Sequence, residues 1–176
     1  LSPGSFWQAH VKGPELLTSC VSEFAKLLNL DPEKQNLDLY SGAGLFSATL
    51  SAQFDGAKFL AVESSKQAIA DGERSSHDLD NLRFHQADVL KFLRSQTSGT
   101  FDTIILDPPR SGAANKVVEQ LIRLSPRNMI YVACDPVALA RDLKTLGDAG
   151  YNVKAMRAFD IFPHTHHFET VVALAH

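Results

Sequence analysis

Cysteine, tryptophan, positive charge and long apolar runs are all scarce in this 176-residue sequence. Two cysteines, Cys20 and Cys134, cannot build the disulfide framework of a small secreted domain and suit a reducing cytoplasm. No stretch approaches the roughly 20 apolar residues that cross a bilayer, which argues against a membrane protein. The opening Leu1-Ser2-Pro3-Gly4 has neither a basic n-region nor an apolar h-region. Without an initiator Met as well, it predicts a cytoplasmic protein represented by a piece of a longer chain. With 17 Lys and Arg against 20 Asp and Glu, the formal charge is −3. A chain devoted to gripping nucleic-acid phosphates is usually basic. What is present is 44% apolar residues, enough for one sizeable core in one monomeric domain.

Periodicity gives the organisation. After an irregular start, residues 14–28 carry a helical apolar stripe (Leu16, Leu17, Val21, Phe24, Leu27, Leu28) with Pro14 at its entrance, and Asp31-Pro32 ends it. Short apolar runs then predict strands at 37–40, 58–62, 82–85, 103–106, 129–133, 153–159 and 168–174. Helical patterns between them fall at 45–53, 66–76, 89–93, 115–124 and 137–147. Strand alternating with helix predicts a doubly wound α/β sheet with helices on both faces. Two closing strands joined only by a loop predict an antiparallel strand near one edge. That is the mostly parallel, seven-stranded Rossmann-like sheet of class I methyltransferases, with residues 1–36 packed on it as N-terminal segment and helix.

Three predicted strand ends carry features of a cofactor crevice. Asp38-Leu39-Tyr40-Ser41-Gly42-Ala43-Gly44 joins the first strand to a helix, and Gly42 and Gly44 permit a sharp turn close to a ligand. A dinucleotide fingerprint needs a third glycine where Ser47 stands. The second strand ends in Glu63, placed to accept from both hydroxyls of an adenosine ribose. Asp88, after the third, could accept from an adenine amino group. Each acid alone reads more often as a solvated helix N-cap; the three strand ends in order favour S-adenosylmethionine over NAD.

The fourth strand runs into Asp107-Pro108-Pro109-Arg110, a ledge stiffened by two prolines. Amino-group methyltransferases carry an aromatic after such prolines, and Arg110 stands there instead. The fifth strand ends Ala133-Cys134-Asp135-Pro136, with a helix starting just beyond. A helix N-terminus lowers a thiol's pKa, so Cys134 is expected to be a nucleophile with a depressed pKa. Thiolate addition at C6 of uracil makes C5 nucleophilic, and a base must then remove the C5 proton. Glu169, at the start of the last strand, supplies a carboxylate for that step. The neighbouring His164, His166 and His167 lack the Cys or spaced second pair of a zinc site, so no metal is expected and pocket shaping or phosphate contact suits them better.

These residues resemble the uracil-C5 RNA methyltransferases that act on tRNA and large-subunit ribosomal RNA. The resemblance rests on Asp107–Arg110, on Cys134-Asp135-Pro136 with Leu139-Ala140-Arg141-Asp142, on residues 162–169 ending in Glu169, and on Phe6-Trp7-Gln8. It implies Cys134 as nucleophile and Glu169 as base. It also implies S-adenosylmethionine contacts from Gln8, Tyr40, Glu63 and Asp107, with Asp88 near the adenine. The sequence departs from the family at Asp135 (Asn in the family), at Leu45 and at His10. Asp135 would raise the thiol pKa unless it points away or caps the following helix. Members carry an N-terminal RNA-binding domain, whose absence would account for the −3 charge. Only scattered cations (Arg110, Lys116, Arg127, Arg141) are then expected near the pocket. The competing readings are an inactive RNA- or cofactor-binding module and an amino-group methyltransferase.

Overall fold

In the computed structural model, which describes residues 13–160 and 168–176, strand and helix alternate as the periodicity predicts. The chain runs α1 (Gly13–Leu27), β1 (Gln35–Leu39), α2 (Leu45–Gln53), β2 (Lys58–Glu63), α3 (Lys66–Ser75), β3 (Leu82–Gln86) and α4 (Val89–Ser95). It continues β4 (Phe101–Leu106), α5 (Asn115–Leu124), β5 (Asn128–Ala133), α6 (Pro136–Asp148), β6 (Asn152–Phe159) and β7 (Glu169–Ala175). β1 begins two residues earlier than expected. Gln35 and Asn36 lack an apolar signal, yet they pair with Lys58 and Phe59, and both side-chain amides donate to the Lys58 carbonyl. β7 starts at Glu169 rather than Phe168.

The seven strands form one sheet in the order β3-β2-β1-β4-β5-β7-β6, parallel except for β7, which runs antiparallel to both β5 and β6. β4 and β5 are buried along their whole lengths, as central strands covered on both faces must be. One face packs Leu37, Leu39, Ile104, Leu106, Met129 and Tyr131 under α4, α5 and α6. The other packs Phe59, Ala61, Ile105, Ile130 and Val132 under α1 and α2. No helix among the described residues is long and apolar enough to cross a membrane.

An acid on β1 interrupts this apolar pattern. Asp38, between Leu37 and Leu39, is fully buried, and its Oδ2 accepts from the Ser47 backbone N–H at 3.0 Å. The reason lies in the cap of α2. Gly44 occupies the N-cap with φ 80° and has no side chain to satisfy the first-turn N–H groups. Asp38 reaches across from the strand to do so. The same turn is pressed by α3: a Cβ on Gly72 would come within 2.6 Å of the Phe84 ring and 2.9 Å of the Ala43 carbonyl oxygen.

Gly72→Ala therefore sets two effects against each other. Alanine gains about 1 kcal/mol of helix propensity, but forced contact with a backbone carbonyl costs about 1–3 kcal/mol. A net loss of stability is expected in urea denaturation. A midpoint at or above wild type would mean that Phe84 swings aside and the turn gives way freely.

Candidate active site

The strand order reverses between β1 and β4, so the crevice for ligands opens at the C-terminal ends of the parallel strands. The chain is stitched there by backbone bonds: Ser41 N donates to Val62 O, Ala87 N to Glu63 O and Asp107 N to Leu39 O. Gly42 and Gly44 both take positive φ, as the turn requires, and so does Tyr40 at 59°. A Cβ on Gly42 would meet nothing within 4 Å, so that glycine borders open space, whereas Gly44 is packed against Phe84.

Glu63 is half-buried beside this turn. Its Oε2 accepts from Gly42 N at 3.2 Å, and its Oε1 from Ser65 N at 2.7 Å and Ser64 Oγ at 3.1 Å. These bonds hold the carboxylate still while leaving acceptor capacity toward the crevice. Asp88 caps α4, accepting from Lys91 N at 2.9 Å. The capping role and a ligand role are compatible, since one oxygen stays uncommitted. The Tyr40 hydroxyl is pushed up to about 12, by burial first and then by the charges of Asp88 and Asp142. It therefore stays a donor. Leu45 starts α2 and packs against the apolar cluster beneath it. Gln8, the Phe6-Trp7-Gln8 element and His164, His166 and His167 lie outside the described residues.

The chemical half of the site depends on strand direction. Ala133 of β5 pairs with Thr170 of β7. The β5–β7 ladder ends there, with Cys134 the residue after β5 and Glu169 the first of β7, and the Glu169 carboxyl acts electrostatically on the Cys134 thiol. Asp107 and Arg110 come to the same edge from the end of β4. Asp107 is repelled here by both Glu169 and Asp38. Burial, then the Glu169 and Asp38 charges, raises Asp107 well above the usual carboxylate range. Asp38 is raised to about 6, chiefly by burial, and Glu169 to about 7 by burial against the opposing charge of Arg110.

The expectation of a depressed Cys134 pKa is corrected. The thiol is raised from its ordinary value, by burial first, then by Glu169 and Asp107. Arg110 and the residue's own backbone N–H act in the opposite sense. A helix N-terminus contributes only about 0.3–1 kcal/mol, less than one pKa unit. Burial and two carboxyls outweigh that. Asp135 is not among the causes. Its side chain turns to the N-cap of α6, where Oδ1 accepts from Ala138 N at 2.7 Å.

Arg127 is a second correction. It sits at the opposite edge of the sheet, where Nε donates to Asp102 Oδ1 at 2.8 Å and Nη2 to Asn29 O at 2.7 Å. Arg141 is committed to Asp142 and to the Ser111 carbonyl. Arg110 and Lys116 remain exposed at the crevice edge. Sequence reasoning gave no role to Asp38, Tyr131 or Asp142. The available signal was polarity in the wrong place: an acid between two leucines of a strand, and one on the Leu139–Leu146 face of α6.

A sheet of this order, with a glycine turn after its first strand and an acid ending its second, defines the Rossmann-like methyltransferase class. The profile of the family described as tRNA (Uracil-5-)-methyltransferase matches residues 18–176, and the chain belongs to that family. An RNA methyltransferase of Streptomyces avermitilis is 42% identical over 97% of this chain and 39% of its own length. One from Thermotoga maritima is 46% identical over 78% of this chain and 31% of its own. The crystal structure of Pyrococcus abyssi tRNA (uracil-54, C5)-methyltransferase with S-adenosyl-L-homocysteine superposes with a TM-score of 0.82 at 33% identity, over 99% of this chain and 41% of that one. The chain thus spans between about a third and two fifths of the length of these relatives.

The Glu169 shift has a consequence for stability. Its folded value of about 7 lies above the roughly 4.3 of an unfolded glutamate. The folded state therefore keeps a proton that the unfolded chain has lost. This contribution is fully present below about pH 4 and is lost as pH rises through 7. Glu169→Gln should raise the unfolding free energy by about 1–3 kcal/mol at pH 8 and by under about 1 kcal/mol at pH 5. Denaturant titrations at the two pH values check this; an equal effect at both would rule out a buried charge as the cause.

Proposed function

We propose that the whole protein transfers a methyl group from S-adenosyl-L-methionine to C5 of a uridine in tRNA or ribosomal RNA, in the cytoplasm, with Cys134 as nucleophile and Glu169 as general base. The observation that carries this reading is the end of the β5–β7 ladder, where Cys134, just after β5, and the buried Glu169, first in β7, share one sheet edge with the Asp107–Arg110 ledge. An amino-group methyltransferase needs neither group.

The crevice suits the cofactor. Gly42 borders open space, Glu63 offers a fixed acceptor for ribose hydroxyls, Tyr40 offers a donor, and Asp107 adds a carboxyl where a sulfonium would be favoured. Asp88 and, by family resemblance, Gln8 complete the set. When bound, S-adenosyl-L-methionine supplies an electrophilic methyl on a positively charged sulfur. The Cys134 sulfur adds to C6, and the C5=C6 electron pair moves onto the C4 carbonyl oxygen. With the cofactor bound, C5 would take the methyl group as the bond to the sulfonium sulfur breaks and the neutral thioether is left behind. Glu169 accepts the C5 proton, the C5=C6 bond re-forms, and the thiolate leaves. Arg110 is the cation that opposes the negative charge gathered at this edge. Exposed Lys66, Lys91 and Lys116 stand in the first turns of α3, α4 and α5 at the same edge, where RNA phosphates would pass. The remaining RNA grip is assigned to the part of the protein outside this chain, a protein acting as a monomer.

RNA carrying 5-fluorouridine at the target should form an adduct with the protein that survives denaturing gels, because fluorine blocks proton removal. Cys134→Ala should form none and lose methyl transfer by more than about 10³-fold. Glu169→Gln should accumulate the adduct on ordinary uridine. Full activity of Cys134→Ala, or no adduct from wild type, would favour the amino-group enzyme or the non-catalytic binding module.

Glu63→Ala should weaken S-adenosyl-L-methionine binding by about 1.5–3 kcal/mol, the worth of a charge-assisted acceptor. Calorimetric titration with an unchanged dissociation constant would remove Glu63 from the site.

A further inference from the structure

We propose that Tyr131, Asp142 and Arg141 are positioning residues: they bolt the segment after β4 onto α6 and thereby hold Arg110 against Cys134 and Glu169. The Arg110 segment is a turn closed by Gly112 N donating to Pro109 O at 2.8 Å, with Arg110 and Ser111 at its two central positions. Four further bonds pin its exit. Ala113 N donates both to Tyr131 Oη at 3.0 Å and to Asp142 Oδ2 at 2.9 Å. Tyr131 Oη in turn donates to the same Oδ2 at 2.7 Å, and Arg141 Nη2 donates to Ser111 O at 2.9 Å. The second oxygen of Asp142 accepts from Arg141 Nε at 2.9 Å and Nη2 at 2.8 Å.

Packing alone does not call for these residues. Tyr131 is completely buried on a central strand, and Asp142 is 1% exposed on the apolar face of a helix. Burying a carboxylate there is costly unless it is fully bonded, and an apolar pair of the same volume would fill the space at less cost. What the polar cluster adds is a fixed distance between two segments. Tyr131 lies three residues before Cys134, and Asp142 seven residues after Asp135, so the cluster is rigidly tied to the nucleophile. On the other side it grips only the backbone of the Arg110 turn. The fit is close: a Cβ on Gly112 would stand 2.6 Å from Arg141 Nη2 and 2.7 Å from Asp142 Oδ2. Arg110, Tyr131 and Cys134 line one narrow gap with Pro108, Ala133 and Leu139, which puts the turn and the tyrosine beside the thiol.

The charged and titratable groups acting on Cys134 are Glu169 from β7, and Asp107 and Arg110 from the β4 segment, with Asp135 turned away into its cap. Arg110 alone among these side chains favours the thiolate. Freeing the turn therefore removes the one favourable charge. The inference takes its importance from the thiol chemistry proposed above, but its test needs no RNA and no turnover.

In the intact protein, the pH dependence of iodoacetamide alkylation is read on the Cys134 peptide by mass spectrometry. Cys20 is fully buried, with its thiol raised to about 11, and does not compete. Tyr131→Phe and Arg141→Gln should each move the midpoint upward by about 0.5–1 pH unit, as loss of a nearby opposite charge does. In an Arg110→Gln background neither should add a further shift. Arg141 is half-exposed, so Arg141→Gln carries the test if Tyr131→Phe folds poorly. A shift in either variant that vanishes in the Arg110→Gln background supports the proposal. Unchanged midpoints in both variants, or shifts that persist without Arg110, overturn it. Failure of the 5-fluorouridine adduct would instead overturn the methylation reading and leave this result standing.

Discussion

Ala133 pairs with Thr170 across an antiparallel ladder in an otherwise parallel sheet, and the chemistry follows from that reversal. In a parallel sheet every strand delivers its C-terminal end to the ligand crevice, so a functional residue there must follow a strand. β7 runs the other way and delivers its first residue. Glu169 thus reaches the edge occupied by Cys134 although it opens its strand instead of following it. A one-residue slip in this register would turn Glu169 to the other face. The slip is opposed by burial on both faces of β7, where Val171 and Ala173 serve one core and Val172 and Leu174 the other.

The same convergence crowds three acids and a thiol into a poorly solvated edge. Asp38, Asp107, Glu169 and Cys134 all hold their protons more tightly than isolated groups would. The fold sustains this because each group is anchored elsewhere. Asp38 replaces the missing cap of α2, Glu169 belongs to a ladder, and Asp107 follows a doubly buried strand. Arg110 is the exception, since its turn belongs to no regular element. Its place is set by hydrogen bonds to its backbone, and the polar cluster under α6 is the part of the core given over to them.

Most of the architecture was legible from period alone, because the elements that matter are long or doubly buried. The alternation of runs such as Thr103–Ile104–Ile105–Leu106 with helical stripes predicted the sheet, and Gly42, Glu63 and Asp107 were placed at its ligand edge. The start of β1 was missed because Gln35 and Asn36 are polar and owe their strand geometry to β2. The Cys134 pKa was misjudged for a similar reason. The helix N-terminus is adjacent in sequence, whereas Glu169 lies 35 residues on and acts only once the sheet is built. Asp142 was visible as part of a motif, but its partner Tyr131 reads as an ordinary strand aromatic until the strand and helix are packed.

Net charge misleads for a related reason: it counts charges without saying where they are. Ion pairs such as Asp102 with Arg127, Glu23 with Arg157 and Asp148 with Lys144 cancel within the formal value of −3, which leaves the placement of the other charges open. None of Arg110, Lys66, Lys91 and Lys116 is ion-paired among the described residues, and all four are exposed at the crevice edge. Acids at a helix N-terminus are favoured by its dipole and lysines are not; α3 and α5 nonetheless begin with lysine in the first or second position and no acid in the first turn. Of the acids of this edge, Asp38, Glu63, Asp107, Asp135 and Glu169 lie inward, half-buried or buried, and Asp88 is exposed, while its cations lie outward. A crevice lined by acids inside a rim of exposed cations is therefore compatible with a chain of negative total charge.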